Sequence, residues 1–365
     1  MAQPTRLAVT ALTALAVVAG LGAQGTALPS ARLVEAPRLV VPDDVDSNMP
    51  MTWDLVDGTP RLFALASWGG VPSLLAGRDL DRLRRVTNSV EFVPHPGYGI
   101  WIETVIADDE DTWYGYYHHE VPADVCGRPD RAIPRIGAAI SENHGKTWRD
   151  LGPVLEAPPS SYACSSTNRF ILGGVGDLSA MLDEEKQNLY LFFSQYSKPR
   201  TAQGVSVARL AWTDRDNPTG AFAVWQHGAW IPPREVFDDE DSAPRWEYPA
   251  GTALVEVMRP WHDGDPLTDA FWGPSIHWNS YLEQYVMLLN RARNENFDNE
   301  GIYIAYARTL NDPSAWSAPK KLMSGGGWYP QVVGLDVGSG TDKLAGQRAR
   351  FFLTGKSDQM IEFSR

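Results

Sequence analysis

Three acidic residues stand at or near the start of short apolar runs in three separate stretches of the chain. They are Asp46, Glu103 and Asp177. Carboxyl groups that a fold brings together can donate a proton, abstract one, or shift each other's pKa. These residues therefore predict general acid and base chemistry. The alternative for each is a turn or cap role, because Asp is common at strand ends.

Aromatic and uncharged polar side chains occupy the corresponding places in two later stretches. Trp272 and Tyr329 have rings that stack on the apolar faces of sugars. Cleavage of a glycosidic bond requires an acid that protonates the leaving oxygen and a carboxylate that activates water, and a third acid can set the pKa of the first. The combination predicts a carbohydrate site. Its candidate substrate-binding residues are Asn48, His119, Trp272, His277, Tyr329 and Gln331.

The segment YGYYHHE places two histidines beside an acid. On a strand, His118 and Glu120 face one way and His119 faces the other. One histidine is expected to reach the site as a proton donor or sugar ligand, and we take His119 as that candidate. The alternative is a hydrogen-bonded histidine at a strand end. For Glu300, which precedes the run GIYIAYA, a surface loop is the better interpretation.

Short strands must position these residues. The chain of 365 residues has 14 Trp, 13 Tyr and 12 Phe, and its 32 Gly and 27 Pro interrupt apolar runs about every ten residues. Around Asp177 the order is an apolar run LSAML, a polar turn DEEKQN and an apolar run LYLFF. Such a pattern is typical of a buried hairpin. Long amphipathic helical patterns are nearly absent after residue 30, so the sequence predicts an all-β fold.

An internal repeat narrows this prediction to a propeller. Residues 136–155 and 302–322 share an order of small and apolar strand, turn, Trp, Pro and apolar strand. Repeats of roughly 50–65 residues with four strands are typical of propeller blades, and about five fit this chain. The last unit has three clear strands, so we predict that Leu39 to Val41 supplies the fourth and closes the ring. A β-sandwich is the alternative.

This layout resembles the five-bladed β-propeller glycoside hydrolases of the arabinanase and β-xylosidase type. The resemblance implies hydrolysis with inversion, with Asp46 as general base and with Glu103 and Asp177 as the pKa-setting acid and the general acid. Those families usually have Asp in the second blade and Glu in the third, and this chain reverses them. The division of roles between Glu103 and Asp177 therefore stays open. No cofactor is implied as a requirement. His277 either ligates a central cation such as Ca²⁺ through water, as in some relatives, or packs.

The segment SENHGKTW, residues 141–148, resembles the Asp-box of sialidases with Asn143 in place of Asp. An Asp-box is a structural turn whose polar side chain bonds to its own backbone. Sialidases also need an arginine cluster, and the spacing of Arg135, Arg169 and Arg291 does not indicate one. A neutral-sugar hydrolase is therefore preferred to a sialidase.

The N-terminus has the pattern of an export signal. Arg6 precedes an apolar run of 15 residues, Leu7 to Leu21, with small residues after it. The run is shorter than the roughly 20 residues of a membrane span, and an uncleaved anchor is the alternative. We predict a signal peptide at 1–25, a leader and closing strand at 26–45, and one propeller domain at 46–365. The mature protein is then secreted or periplasmic.

Charge and cysteine usage limit the partners. The formal net charge of −13 argues against nucleic acid and anionic membranes as partners. In an oxidising compartment Cys126 and Cys164 are expected to form a disulfide rather than a metal site. The acidic run Phe237–Ser242 lacks the spaced ligands of a calcium loop.

The sequence thus predicts a secreted, monomeric glycoside hydrolase that acts on an oligo- or polysaccharide. Two other classes remain open beside the sialidase-like enzyme. One is a carbohydrate-binding propeller without catalysis, and the other is a structural propeller whose channel mouth binds a protein.

Overall fold

The computed structural model describes residues 28–108, 111–237 and 245–365. Within these ranges the regular elements are β-strands and short 3₁₀ helices, with no α-helix. The strands form five sheets arranged as the blades of a five-bladed β-propeller, which confirms the predicted fold class. The predicted signal peptide, residues 1–25, lies outside the described residues, and so does all of the acidic run except Phe237. No helix in the described part of the chain has the length and hydropathy of a membrane span.

The strands follow one another blade by blade. The chain begins with β1 (Ser30–Val40), which belongs to the last blade. Blade 1 contains β2 (Met51–Val56), β3 (Thr59–Trp68), β4 (Val71–Gly77) and β5 (Arg84–Thr87). Blade 2 contains β6 (Glu91–Val93), β7 (Gly99–Ala107), β8 (Trp113–Ala123), β9 (Arg128–Ser141) and β10 (Thr147–Leu155). Blade 3 contains β11 (Val175–Leu182), β12 (Asn188–Gln195), β13 (Gly204–Ala211), β14 (Ala223–Gln226) and β15 (Ala229–Ile231).

A separate hairpin, β16 (Arg234–Val236) and β17 (Arg245–Glu247), precedes blade 4. Blade 4 contains β18 (Phe271–Asn279), β19 (Gln284–Ala292), β20 (Asn299–Ala307), β21 (Lys320–Ser324) and β23 (Leu344–Ala345). Blade 5 contains β22 (Pro330–Val333), β24 (Arg348–Leu353) and β25 (Lys356–Ser364), with β1 at its outer edge. The 3₁₀ helices are Leu80–Arg82, Asp124–Cys126, Pro159–Ser161, Arg200–Ala202, Trp212–Asp214 and Pro313–Ala315.

Apolar side chains fill the space between neighbouring blades. Around the axis, each inner strand contacts the next in the order β2, β7, β11, β18 and β22. Strand β12 (NLYLFFSQ) is buried on both faces because blades pack against both of them. Between blades 1 and 2, for example, Phe63 and Leu74 pack with Trp113 and Trp148. These interfaces fix where each inner strand begins, and therefore where the candidate acids lie.

An N-terminal strand completes the ring, as predicted, but it extends from Ser30 to Val40 instead of from Leu39 to Val41. Strand β1 pairs antiparallel with β25 from Ser30 opposite Ser364 to Val40 opposite Lys356. A second link joins blade 5 to blade 1 near the axis. The Gln331 side chain donates to the carbonyl of Met49 at 2.8 Å and accepts from its amide at 3.3 Å. The ends of the chain are thus held together across the ring.

Two short strands belong to a blade other than the one whose strands flank them in sequence or precede them. Strand β6, which follows β5 of blade 1, pairs in parallel with β10 of blade 2. The connection after β22 contributes β23, which pairs in parallel with β18 of blade 4. Both are short segments that complete a neighbouring blade. Parallel pairing between blades depends on distant partners, so the local pattern of side chains does not indicate it.

Candidate active site

A cavity of about 260 Å³ lies where the inner strands begin. Acidic and aromatic side chains from strands of blades 2, 3 and 4, and from loops that include the segments before β2 and β22, form its wall. The acids are Asp46, Glu103, Glu120 and Asp177, and His118 lies beside them. The rings are Trp101, Phe170, Tyr196, Trp272, Phe297, Trp328 and Tyr329. The structure therefore brings together the three predicted acids and two of the predicted substrate-binding residues, Trp272 and Tyr329.

Asp46 lies on the segment before β2 and is partly buried. Its Oδ1 accepts a hydrogen bond from Trp101 Nε1 at 2.6 Å, and its Oδ2 accepts one from the Gly69 amide at 3.1 Å. Burial raises the pKa of Asp46 and the nearby charge of Glu120 adds to this, while the two N–H donors oppose the change. The carboxylate is thus fixed in direction, and its raised pKa makes it a stronger base.

Glu103 and Asp177 form a close pair from blades 2 and 3. A carboxylate oxygen of each and a ring nitrogen of His118 lie within 4.8 Å of one another. Burial raises the pKa of Glu103 well above its ordinary value, and the negative charge of Asp177 raises it further. Two carboxyl groups this close do not both ionise readily, so Glu103 keeps its proton to a higher pH than an isolated glutamate does. Glu103 is only 1% exposed, whereas Asp177 is 8% exposed, so Asp177 is the member better able to meet a ligand.

Two tyrosines hold the Asp177 carboxylate. Tyr329 donates its hydroxyl to Oδ1 at 3.1 Å, and Tyr196 donates to Oδ2. Burial raises the pKa of both tyrosines well above the ordinary value, and the Asp177 charge raises it further. Both hydroxyls therefore keep their protons and remain donors. The predicted sugar-stacking residue Tyr329 thus also fixes the orientation of an acid.

His118 lines the cavity, and the predicted ligand His119 does not. On β8 the two side chains point to opposite faces, and His118 shares its face with Glu120, as the alternation of a strand requires. The His119 ring is within 2.8 Å of the Gly97 carbonyl at Nε2 and accepts from Arg135 Nε at Nδ1, at 3.2 Å. Burial and Arg135 lower the pKa of His119 to about 4. The residue at the cavity wall is therefore His118 in place of His119.

The other predicted substrate-binding residues have structural contacts outside the cavity wall. The Asn48 amide group donates to the carbonyls of Leu178 and Pro274 at 2.8 and 2.9 Å, and lies 3.4 Å from Glu103 Oε2. It therefore ties blade 1 to blades 3 and 4 below the acids. Gln331 closes the ring through Met49, as described above. Both side chains are buried, and neither lines the cavity.

The axial channel around His277 does not fit the expected Ca²⁺. The Lys343 ammonium lies there, 3.0 Å from Ser179 Oγ, 3.4 Å from Thr104 Oγ1 and 3.1 Å from Asp342 Oδ2. Burial and the Lys343 charge lower the pKa of His277 to about 3. Ca²⁺ prefers 6–8 oxygen ligands, including carboxylates. Here the carboxylate already pairs with an ammonium, whose charge would repel a second cation.

The cluster of Glu103, His118 and Asp177 has the composition of a metal site, but two of its possible ligand atoms already accept hydrogen bonds from the protein. His118 Nδ1 accepts from the Asp177 amide at 3.0 Å, and Glu103 Oε2 accepts from the Leu178 amide at 2.9 Å. A metal ion at His118 Nδ1 would have to displace the Asp177 amide, because that ring nitrogen has a single lone pair. The cluster is therefore a hydrogen-bonded network among the described residues.

The three arginines considered for a sialidase do not meet. Arg135 pairs with Glu156, and Arg291 lies near Asp269 and Glu300. Neither these two nor Arg169 lines the cavity. The Glu300 carboxylate also pairs with Lys321, away from the cavity.

The turn of SENHGKTW has the bonding expected of a structural turn. Asn143 Oδ1 accepts from the Thr147 amide at 2.9 Å, and Ser141 Oγ accepts from the Gly145 amide at 3.0 Å. The identification with an Asp-box rests on the sequence resemblance alone.

A segment tied by the disulfide forms one wall of the cavity. Cys126 and Cys164 are bonded, which confirms the predicted pair. Residues 164–171 continue across to loops of blade 4, where the Arg169 amide donates to Asn296 Oδ1 at 2.9 Å. Phe170 on this segment packs against Phe297 and Trp328. The disulfide therefore holds the base of a wall that spans two blades.

Several lining residues were not identified from the sequence. Trp101 precedes Glu103 by two positions on β7, and Glu120 follows His118 by two on β8, so same-face alternation is a signal for both. Phe170, Phe297 and Trp328 lie on loops distant in sequence, where no periodic pattern indicates a shared surface.

Comparison with known proteins gives the fold. No protein-family model and no curated protein matches the chain. A solved endo-arabinase from Bacteroides thetaiotaomicron is similar, with a TM-score of 0.50 and 12% identity over 89% of this chain and 97% of that one. A solved thermostable family-43 glycoside hydrolase has a TM-score of 0.47 and 11% identity over 89% of this chain and 92% of that one. A solved α-L-arabinofuranosidase from Podospora anserina has a TM-score of 0.44 and 11% identity over 92% of this chain and 97% of that one. The similarity to the endo-arabinase confirms a fold of the type that the sequence resemblance implied.

Proposed function

We propose that the protein is a glycoside hydrolase. The observation that carries the proposal is the convergence of Asp46, Glu103, Glu120 and Asp177 on one cavity walled by aromatic rings. Carboxyl groups supply the proton transfers of glycosidic cleavage, and aromatic faces bind the apolar faces of sugars. The fold shared with the endo-arabinase is consistent with this function.

The cavity suits a neutral sugar at the end of an oligo- or polysaccharide. Its volume of about 260 Å³ lies below the roughly 300 Å³ at which ligand pockets usually begin, so it accommodates about one sugar ring. Among the described residues, its lining has acids but no Lys or Arg. A uronic or sialic acid would meet like charge without a compensating cation. We therefore favour exo-cleavage of a neutral residue from an oligo- or polysaccharide.

The proposed mechanism is inversion with Asp46 as general base. Asp46 activates a water, and the Glu103–Asp177 pair supplies the proton to the leaving oxygen through Asp177. Inverting enzymes separate base and acid by about 6.5–9.5 Å to admit the water. Glu103 and Asp177, with oxygens within 4.8 Å, are too close to act as that pair, so the base must come from elsewhere. Asp46, which comes from another blade and is held by Trp101, is the lining acid that we assign as this base.

The proposal includes export. We propose that residues 1–25 direct the protein out of the cytoplasm and are removed, and that the mature protein acts as a monomer. The disulfide between Cys126 and Cys164 is consistent with an oxidising compartment.

The test is hydrolysis of neutral aryl glycosides and polysaccharides by the mature protein, with Asp177→Asn as the variant. Loss of the acid should lower kcat about 10²–10⁴-fold. Asp358→Asn is the matched control, because that side chain is 61% exposed on the last strand. NMR of the first-formed product reports whether the anomeric configuration inverts.

Parent turnover that survives Asp177→Asn would reject the assigned acid but keep the enzyme. Parent protein that binds sugars in calorimetry without turning any over would replace the hydrolase with a carbohydrate-binding propeller. Retention of the anomeric configuration would reject Asp46 as general base.

A further inference from the structure

Asp177 has an unusual backbone. Strand β11 has a bulge at this residue, since Gly176 pairs with Ser194 and Leu178 pairs with Phe193, which leaves Asp177 without a partner on β12. Its φ is 38°, a left-handed value that is unfavourable for a residue other than glycine. Such a conformation persists only where the surroundings hold it, and it is common at functional sites.

Side chains of blade 2 hold this bulge. The Asp177 amide donates to His118 Nδ1 at 3.0 Å, and the next amide, that of Leu178, donates to Glu103 Oε2 at 2.9 Å. The Asp177 carbonyl accepts from Ser194 Oγ at 3.2 Å. The fit is close, because a Cβ placed on Gly176 would lie 2.2 Å from His118 Nδ1. The backbone that presents Asp177 is therefore shaped by a neighbouring blade.

The hydrogen bond defines the protonation of the His118 ring. A nitrogen that accepts an amide N–H must have a free lone pair, so the ring proton lies on Nε2. Nε2 faces Glu120 Oε1 at 3.6 Å, which favours that tautomer.

The negative charges around His118 favour a second proton on its ring. Burial lowers the pKa of His118, but Glu120, Asp177 and Glu103 raise it, on balance to about 9. A second proton at Nδ1 would clash with the Asp177 amide hydrogen, so this amide opposes the effect of the three carboxyl groups. Because the hydrogen bond at 3.0 Å requires a free lone pair on Nδ1, we assign the neutral ring.

We propose that His118, neutral and protonated at Nε2, is a positioning residue that holds the Asp177 backbone in its left-handed conformation. This holds the Asp177 carboxylate between Tyr196 and Tyr329 at the cavity wall, and Glu120 fixes the tautomer. The titratable groups that face His118 are Glu120 on its own strand, Glu103 on β7 and Asp177 on β11. The catalytic consequence rests on the proposed function, whereas the backbone clamp does not.

The test compares His118→Asn with His118→Leu. The Asn side chain places an oxygen near the position of Nδ1 and can still accept the amide, whereas Leu cannot. His118→Leu should accelerate hydrogen exchange of the Asp177 amide and lower kcat by about 10²-fold with KM nearly unchanged, because a small misplacement of an acid is costly. His118→Asn should keep the amide protected and restore most of kcat. His144→Asn, a change in a turn away from the cavity, is the control.

Two results would overturn the proposal. One is unchanged exchange of the Asp177 amide in His118→Leu. The other is a proton on Nδ1 of the parent at neutral pH, read from the ¹⁵N shifts of the imidazole, which requires no variant to fold. A parent without glycosidase activity whose Asp177 amide still loses protection in His118→Leu would support the clamp and reject the proposed function.

Discussion

The cavity and the axial channel below it compensate buried negative charge in different ways. In the cavity, Glu103 and Asp177 lie within 4.8 Å of each other, and no Lys or Arg among the described residues lines the wall. In the channel, Asp342 has the Lys343 ammonium 3.1 Å away. An ammonium fixes a charge permanently, whereas a shared proton can leave. The difference separates a region suited to proton transfer from one that holds the blades together.

The hydrogen-bond partners follow the same division. Lys343 also donates to Ser179 and Thr104, so a cation on the connection to β23 joins the inner strands of blades 2 and 3. In the cavity the donors to Asp46 and Asp177 are neutral N–H and O–H groups. Neutral donors orient a carboxylate without adding a compensating charge.

The largest effect is expected from Asp46→Asn. The amide oxygen can still accept from Trp101, so the fold should persist, but the group can no longer abstract a proton from water. We expect kcat to fall about 10²–10⁴-fold with little change in the melting temperature. Steady-state kinetics on the best substrate of the panel, with thermal unfolding alongside, measure both. A rate close to that of the parent would move the general base to another acid, with Glu120 the next candidate.

Lys343→Met should have the opposite effect, with a loss of stability and little change in kcat. Met keeps an apolar stem but removes the charge, which leaves the Asp342 carboxylate buried and unpaired. Breaking a buried pair in this way costs about 3–5 kcal/mol of the free energy of unfolding. Urea unfolding at pH 7 measures the loss, and kcat of the folded variant should stay near that of the parent.

The matched control for this change is the double variant Lys343→Met with Asp342→Asn, which removes both charges and should recover most of the stability. A single variant as stable as the parent would contradict the structural role of the ammonium, and the contrast between channel and cavity would be lost.

The acids of the cavity were predictable because propeller topology brings the starts of inner strands together. Asp46, Glu103 and Asp177 each lie near such a start, so recognition of the blades was enough to group them. Strand alternation also placed His118 and Glu120 on one face. It did not show which face points inward, because both faces of β8 are largely buried. The choice between His118 and His119 was therefore beyond the sequence pattern.

The channel was not predictable in this way. Lys343 lies in a Gly-rich connection, where a lysine usually faces solvent and no periodicity indicates burial. Its inward position depends on β23 pairing with β18, a contact between segments 65 or more residues apart. The positive charge near His277 could not be anticipated for the same reason, since Lys343 comes from a distant connection.

The smallest effect, and the sharpest test of the shared proton, is the pH dependence of stability in Glu103→Gln. The Gln oxygen can still accept from the Leu178 amide, so the main loss is the titrating group. In the parent, burial and Asp177 hold the pKa of Glu103 well above its ordinary value of 4.5. Between pH 4.5 and the raised pKa of the folded protein, the unfolded chain has released the proton of Glu103 and the folded chain still holds it. The contribution of Glu103 to stability is therefore complete below pH 4.5 and is lost as the pH rises.

The stability of the parent relative to Glu103→Gln should accordingly fall as the pH rises above 4.5, by up to about 1.4 kcal/mol per pH unit while the folded protein keeps the proton. Urea unfolding of both proteins across this range measures the slope, with Asp358→Asn as an exposed control that should run parallel to the parent. Parallel lines for parent and Glu103→Gln would mean that Glu103 ionises in the folded protein as it does in the unfolded chain. The carboxyl pair would then hold no proton at neutral pH, and the cavity would need another acid to protonate the leaving oxygen.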